Sequence, residues 1–211
     1  MPPVYDQGCI GSCTANAVVA IREYKLHNTV ALSRLYLYYK ARERRGWQND
    51  DTGSVLRDAM SVLYTNGCAT EAAMPYSTDF RAKPSEEAER EAALYRIADY
   101  RRLVGLSLLL RSLAKGNPAA FAVDIYESFD SEIVARSGRP PVPGDPRFAG
   151  PDGIDDYYGR HAVVAVGYSL PDRILICRNS WSTGWGIEGY FALPFAFFER
   201  GYAGDVWTIH P

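Results

Sequence analysis

The sequence lacks a membrane span, a secretory leader and any marked excess of charge. No apolar run approaches the ~20 residues that cross a bilayer, and the segment from Met1 to Asp6 has neither a basic start nor a hydrophobic stretch. The formal net charge of −2 gives no electrostatic reason to bind nucleic acid or an anionic membrane. We therefore expect no nucleic-acid partner and no membrane partner. The compartment stays open, because a leader could have been removed before residue 1.

Cysteine is scarce as well, with only four in 211 residues, too few for a disulfide scaffold. Cys177 ends an apolar run and is expected to be an inert thiol in a buried strand. Cys9 and Cys68 are either paired with each other or both reduced, and the sequence does not decide between these states. Histidine is rarer still, and its three copies are widely separated, with no Cys-x-x-Cys motif nearby. We therefore expect no metal site and no other cofactor.

Two halves of different pattern follow one another along the chain. Helical periodicity prevails first, and short apolar segments bounded by Gly, Pro or Asp follow from residue 119. We predict one α+β domain over 1–211, with a helical lobe (about 1–113), a β-rich lobe (about 114–211) and a cleft between them. The predicted helices span 13–27, 33–43, about 53–66, 85–97 and 106–115, and the predicted strands span 120–125, 161–168, 173–178, 189–193 and 205–209.

A stretch rich in proline and glycine, 138–159, separates two of the predicted strands. Loops of this length inside a compact domain are commonly functional or mobile. We expect either a lid over the site or a solvated surface loop.

The segment from Gln7 to Cys13 is a turn containing Gly and Ser that leads directly into the first predicted helix. A thiol at a helix N-terminus lies at the positive end of the helix dipole, which favours its thiolate. The backbone N–H groups there, together with the side-chain amide of Gln7, can stabilise the oxyanion of acyl transfer. Cys13 is therefore a candidate nucleophile. The alternative is a small buried residue at a helix start.

A thiolate nucleophile needs a base, and histidine is the natural choice. His27 lies about four turns along the same predicted helix, ~20 Å from Cys13, and His210 is the penultimate residue, where disorder is common. His161 opens the apolar strand 161–168, so we expect it at a strand end facing the cleft. Elimination leaves His161 as the candidate base.

Asn179 lies between a predicted strand and a turn rich in Gly and Trp. Its amide oxygen can accept a hydrogen bond from an imidazole and fix the orientation of the ring, while Trp181 shields that bond from water. An aromatic turn that only packs against the sheet is the alternative.

Three motifs occur in the order Gln-Gly-x-x-Gly-Ser-Cys, His-Ala-Val-x-Ala-Val-Gly-Tyr and Asn-Ser-Trp-x-x-x-Trp-Gly. Together they resemble the papain and cathepsin family, whose catalytic residues follow the order Cys, His, Asn. The resemblance implies a papain-like two-lobed fold with a barrel-like second lobe. It also implies a cysteine endopeptidase, a thiol protease that hydrolyses peptide bonds through a thioester. Gln7 would supply the oxyanion-hole amide, Cys13 would attack, His161 would act as general base and acid, and Asn179 would orient His161.

The chain departs from the usual family pattern at several positions. Thr14 stands where an aromatic residue usually follows the nucleophile, and Arg160 precedes the base where Asp or Asn is common. Cys9 lies one place before the usual half-cystine, so the familiar disulfide cannot be carried over directly. The segments 13–17 and 32–39 are similar to the bacterial xylellain-type branch, which is considered proteolytic.

The resemblance also implies a set of substrate contacts and partners. Two of these contacts, Ala122 and Ala162, have small side chains and would leave a roomy apolar pocket for the second residue before the cut. We expect a monomer that acts on a peptide or protein substrate. A propeptide or a protein inhibitor is a further expected binding partner. Two other functions stay open: a catalytically silent homologue that binds peptides, and another thiol acyl-transfer enzyme of the amidase or transglutaminase kind. The implied substrate contacts are Ala122, Ala162, Trp181, Ser54 and Val55.

Overall fold

The computed structural model describes residues 1–146 and 154–210. Its chain divides into two compact units. The first comprises Met1–Pro3, Gln7–Arg102 and the chain end from Trp207, and the second comprises Val4–Asp6 and Leu103–Val206. The last part of the predicted 138–159 loop, 157–159, is instead strand, and 147–153 lies outside the described residues.

The first unit is mainly helical, as its sequence pattern predicts. Helix α1 is buried from Thr14 to Glu23, so it forms the centre of the unit. Ser33 and Ser85 cap α2 and α4, since each hydroxyl accepts a backbone N–H at the third following residue. Each serine is the first residue of a helix range predicted from the sequence, 33–43 and 85–97. The helices are α1 (Cys13–Lys25), α2 (Arg34–Glu43), α3 (Leu56–Thr65) and α4 (Glu86–Ala92), with a 3₁₀ turn at Ala93–Tyr95.

The described residues contain one six-stranded sheet, with the strand order β1-β6-β2-β3-β4-β5. The sheet and the helices together give the α+β class that the sequence predicts. The second unit also holds three helices: α5 (Leu106–Ala114), α6 (Glu132–Ser137) and α7 (Ala196–Glu199). The strands are β1 (Asp99–Leu103), β2 (Ala119–Tyr126), β3 (Tyr157–Ser169), β4 (Ile174–Arg178), β5 (Tyr190–Pro194) and β6 (Ala203–His210).

The sequence prediction of where β3 begins was wrong. His161 does not open the strand, because β3 already starts at Tyr157 and pairs with β2 through Tyr126↔Tyr157 and Asp124↔Arg160. The residues before His161 are polar or exposed, so their hydrophobic pattern gives no sign of a strand. The backbone of these residues nonetheless pairs with β2, and this pairing extends β3 toward its N-terminal end. His161 is therefore an interior residue of β3, directly opposite Val123.

The core of the second unit is built from residues that alternate along β2 and β3. Phe121 and Val123 on one strand and Val163 and Ala165 on the other are all fully buried in one cluster. Because side chains alternate between the faces of a strand, His161 points to the same face as Val163. The base candidate therefore lies on the strand face that contributes to this core.

Two further properties concern the described part of the chain as a whole. Within it, no helix combines the length and the hydropathy needed to cross a membrane. The same residues contain no group of three or more His, Cys, Asp or Glu side chains placed to hold a metal ion.

Candidate active site

The first unit places Cys13 at the first position of helix α1. Ser12 is the N-cap residue, but its side chain makes no capping bond to the helix. The N–H groups of the first helical turn have no partner within the helix itself. Cys13 is half-buried, so its sulfur lies at the electropositive helix end without being sealed off from solvent.

Gln7 belongs to the same segment and is held against it. Its side-chain Nε2 donates a hydrogen bond to the carbonyl of Ile10 at 3.1 Å. This bond uses one of the two hydrogens of the amide. The bond fixes the direction of the amide group relative to the turn that carries Cys13.

Thr14 has a contact that accounts for its departure from the usual aromatic residue. Its hydroxyl donates to the backbone carbonyl of Ser54 at 2.8 Å, which fastens the start of α1 to the loop before α3. Asp51 of the same loop accepts the backbone N–H of Gly11 at 2.9 Å. Ser54 and Val55 are therefore brought next to the segment of the nucleophile, and Val55 is the N-cap of α3.

The second unit joins His161 to Asn179. Their side chains are 2.7 Å apart between His161 Nε2 and Asn179 Oδ1, and both residues are buried. Asn179 directly follows β4, and its backbone N–H donates to Gly189 at 2.9 Å, which fixes the position of the residue. The same Oδ1 accepts the backbone N–H of Ser180 at 2.8 Å.

This pair of contacts determines the tautomer of the imidazole. A backbone N–H can only donate, so the Asn179 atom that faces Ser180 must be the oxygen. His161 Nε2 must then carry the hydrogen that is shared with that oxygen. In the neutral ring this leaves Nδ1 as the nitrogen that can take up a proton.

Trp181 covers the imidazole from one side. Its ring stacks on His161 with centroids 4.7 Å apart and an angle of 28° between the planes. Trp185 packs edge-on against Trp181 at 5.1 Å, and Phe129 stacks on Trp185 at 6.0 Å. The Trp-containing turn is therefore an aromatic wall for the histidine as well as a packing element of the sheet.

Ala122 and Ala162 lie directly opposite each other on β2 and β3. Because Ala162 follows His161 in the strand, the pair points to the other face of the two strands. Arg160, the other departure from the usual pattern, forms an ion pair with Asp124 at 2.8 Å. Arg160 is half exposed, so this ion pair contributes little to stability.

Comparisons with known proteins identify the family of the chain. A family model described as papain family cysteine protease matches residues 1–197. The chain belongs to the papain family. Xylellain, a cysteine protease from Xylella fastidiosa, is 33% identical in sequence and superposes with a TM-score of 0.89, covering 99% of this chain and 83% of xylellain. The resemblance to this bacterial branch is thus confirmed, and so is the papain-like fold.

Curated relatives of this papain-family chain occur in a virus and in a mammal. An uncharacterized peptidase C1-like protein of Acanthamoeba polyphaga mimivirus is 33% identical over 97% of the chain and 68% of its own length. Pro-cathepsin H of mouse is 27% identical over 94% of the chain and 56% of its own length. The chain therefore spans about two thirds or less of the curated relatives that it matches. Its family is one of cysteine peptidases, which confirms the predicted enzyme class.

The papain-family chain carries its predicted site residues in two groups. The first unit holds Gln7, Cys13, Ser54 and Val55, and the second unit holds the other residues. His27 lies just beyond α1 and is exposed, in keeping with its exclusion as a base. Sequence reasoning missed Asp51 and Tyr76, which both bind the segment 7–13. Only the Asp-Asp-Thr-Gly turn around Asp51 offered a signal in the sequence. The second group comprises Ala122, His161, Ala162, Asn179 and Trp181.

All four cysteines lie in the described part of the chain, and none of them is in a disulfide. The pairing of Cys9 with Cys68 is therefore not adopted, because Cys9 is exposed while Cys68 is buried and contacts the carbonyl of Ser33 at 3.3 Å. Burial raises the pKa of the Cys68 thiol, and the carboxylate of Glu23 raises it further. Burial also raises the pKa of Cys177 well above its ordinary value.

We predict that iodoacetamide at neutral pH alkylates Cys9 and Cys13 in the folded chain but leaves Cys68 and Cys177 unmodified. The two buried thiols are inaccessible, and their raised pKa keeps them protonated. Intact mass should show two adducts on the folded chain and four after denaturation. Peptide mapping that finds Cys68 alkylated in the folded chain would contradict this assignment.

Proposed function

We propose that this chain is a cysteine endopeptidase in which Cys13 is the nucleophile, His161 the general base and acid, Asn179 the residue that orients His161, and Gln7 a donor of the oxyanion hole. The observation that carries the proposal is the hydrogen bond of His161 Nε2 to Asn179 Oδ1. It leaves Nδ1 as the proton-accepting nitrogen of a buried histidine in a chain of the papain family. The position of Cys13 at the start of α1 supports its part in the proposal.

In the acylation step, the Cys13 thiolate attacks the carbonyl carbon of the peptide bond. The electron pair of the C=O bond moves to the oxygen, and the oxyanion accepts hydrogen bonds from the Cys13 N–H and the Gln7 amide. The intermediate collapses as the C–N bond breaks. His161 Nδ1 gives the proton that it took from the thiol to the leaving amine, so the peptide is cut and a thioester remains.

In the deacylation step, a water molecule attacks the thioester carbon while His161 Nδ1 takes one of its protons. The C–S bond then breaks, and the carboxylic acid product leaves. The imidazolium and thiolate return to their starting state. Asn179 accepts the Nε2 hydrogen throughout, which keeps Nδ1 in position for both proton transfers, and Trp181 stacks on the ring and keeps water from that bond.

Substrate selection is assigned in the same proposal to small side chains. Ala122 and Ala162 are cross-strand partners with no side-chain bulk beyond Cβ, so they leave room for an apolar residue two positions before the cut. Ser54 and Val55 would contact the same peptide, and Trp181 would contact it beside the base. By the name of pro-cathepsin H, at least one relative is made as a proform. A propeptide is accordingly a proposed partner, as is a peptide or protein substrate.

We expect Cys13→Ala and His161→Ala to lose at least about 10⁴-fold in kcat on a peptide substrate. Each substitution removes a side chain that forms and breaks bonds during the proposed reaction. Asn179→Ala should lose about 10- to 100-fold, because the imidazole loses the acceptor that orients it. Asn179→Asp, which keeps an acceptor oxygen for both Ser180 and His161, should retain more activity than Asn179→Ala. Initial rates over a range of substrate concentrations provide the measurement.

Cys9→Ala is the matched control in this series, because it removes an exposed thiol from the same segment. Its kcat should stay within about twofold of the parent, because Cys9 has no part in the proposed mechanism, and its stability should change little. A Cys13→Ala variant that cleaves at the parent rate would overturn the proposal. A parent chain that binds peptides without cleaving them would favour the catalytically silent homologue instead.

The pocket assignment is tested by profiling a peptide library against the parent and an Ala122→Phe variant. We expect the parent to prefer large apolar residues at the second position before the cut. The variant should shift toward small residues by about 10-fold in kcat/KM, since one side-chain change in an apolar pocket has effects of about this size. A preference of the parent for charged residues at that position would refute the pocket assignment.

A further inference from the structure

Tyr76 lies outside the segment 7–13, which carries the proposed nucleophile, and binds this segment through its hydroxyl. Its hydroxyl donates to the backbone carbonyl of Gln7 at 2.7 Å. The same hydroxyl lies in close hydrogen-bond contact with Ser12 Oγ. One phenol therefore joins both ends of the turn 7–12, the end that carries the Gln7 amide and the end that starts helix α1.

The direction of these bonds follows from the groups involved. A carbonyl oxygen can only accept, so the single hydrogen of the Tyr76 hydroxyl is directed to Gln7. Ser12 must then donate its own hydrogen to Tyr76. Asn16 Nδ2 in turn donates to Ser12 Oγ at 3.0 Å, so the three side chains donate in one direction toward the Gln7 carbonyl.

The chain of bonds begins at a cation. Arg34 Nη1 donates to Asn16 Oδ1 at 3.2 Å, and its guanidinium also lies 3.8 Å from the centre of the Tyr76 ring. Glu71 accepts the backbone N–H of Tyr76 at 2.7 Å and faces Arg34 at 3.8 Å. Bonds aligned in one direction polarise one another, and a charged donor at the start adds to the effect.

Burial makes this arrangement stiff. Ser12 and Asn16 are both fully buried, so breaking either bond would leave a polar group without solvent to replace its partner. Asn16 and Ser12 are one helical turn apart, and Asn16 also donates to the Ser12 backbone carbonyl at 3.0 Å. The relay thus fixes the first turn of α1, where Cys13 lies, as well as the Gln7 backbone.

We propose that Tyr76 is a positioning residue for the oxyanion hole, acting through Gln7 by means of the relay Arg34–Asn16–Ser12–Tyr76. The role assigned to Tyr76 is to hold Gln7 in place, not to take part in bond making or breaking. Tyr76 keeps the Gln7 amide and the Cys13 N–H in the fixed relation that stabilisation of an oxyanion demands. The inference rests on the proposed function, since the oxyanion hole belongs to that mechanism.

The decisive variant is Tyr76→Phe, which removes only the hydroxyl. It keeps the aromatic ring under Arg34 and the backbone N–H that donates to Glu71. Tyr36→Phe is the matched control, because Tyr36 is buried in the same unit and its hydroxyl donates to Glu89 at 2.9 Å, away from the segment 7–13. Tyr76→Phe loses two hydrogen bonds and Tyr36→Phe loses one, so the Tm of both variants is measured to separate a loss of stability from a loss of activity.

We expect Tyr76→Phe to lower kcat about tenfold with KM within about twofold, while Tyr36→Phe keeps kcat within about twofold. In a Gln7→Ala background, Tyr76→Phe should cost less than about twofold further, because the donor that it positions is already gone. Alkylation of Cys13 by iodoacetamide forms no oxyanion, so its rate should stay within about twofold of the parent. Ser12→Ala should show the same pattern as Tyr76→Phe. If Tyr76→Phe fails to fold, Ser12→Ala replaces it in the comparison with Tyr36→Phe.

The outcomes separate the two claims. A parent chain with Cys13-dependent cleavage in which Tyr76→Phe matches Tyr36→Phe in kcat would overturn the positioning role and leave the proposed function standing. The positioning role would also be overturned, on its own, if the tenfold loss persisted in full in the Gln7→Ala background. A parent chain without Cys13-dependent cleavage would overturn both.

Discussion

The oxygen of Asn179 accepts two hydrogen bonds, one from the backbone of Ser180 and one from the ring of His161. The first is fixed by the chain, because Ser180 is the next residue and Asn179 itself is tied to Gly189. The second is thereby constrained in both direction and chemistry. The proposed roles of His161 and Asn179 depend on this constraint, since it decides which nitrogen of His161 carries the hydrogen and which one is available to take up a proton.

In the first unit, an irregular turn has to be held in a fixed position. The segment 7–12 is neither helix nor strand, so side chains from elsewhere in the unit bind its backbone. Asp51 accepts a hydrogen bond from the N–H of Gly11, and the Tyr76 hydroxyl donates one to the carbonyl of Gln7. Preorganised donors are effective in catalysis only when they do not have to move during the reaction. The rigidity of this turn therefore matters as much as the identity of its residues.

Several helix boundaries and one residue of the proposed site could be predicted from the local sequence. The caps at Ser33 and Ser85 could be predicted because a cap depends on residues within one turn, and Asn179 could be singled out because it lies between a strand and a Gly- and Trp-rich turn. The start of β3 could not be predicted, since residues 157–160 have no apolar pattern and are strand only through pairing with β2. Tyr76 was missed for a related reason. Its partners Gln7 and Ser12 are more than sixty residues away in sequence, and no local pattern reports such a contact.

The central claim, an activated Cys13 that depends on His161, is tested most directly by intact mass after incubation with an epoxide inhibitor of papain-like enzymes. Epoxides react with a thiolate, and the reaction requires no knowledge of the natural substrate. The account predicts a single adduct on the parent chain, mapped to Cys13, and none on Cys13→Ala or His161→Ala under the same reducing, mildly acidic conditions. A parent chain that stays unmodified, or an adduct that maps to Cys9, would contradict it.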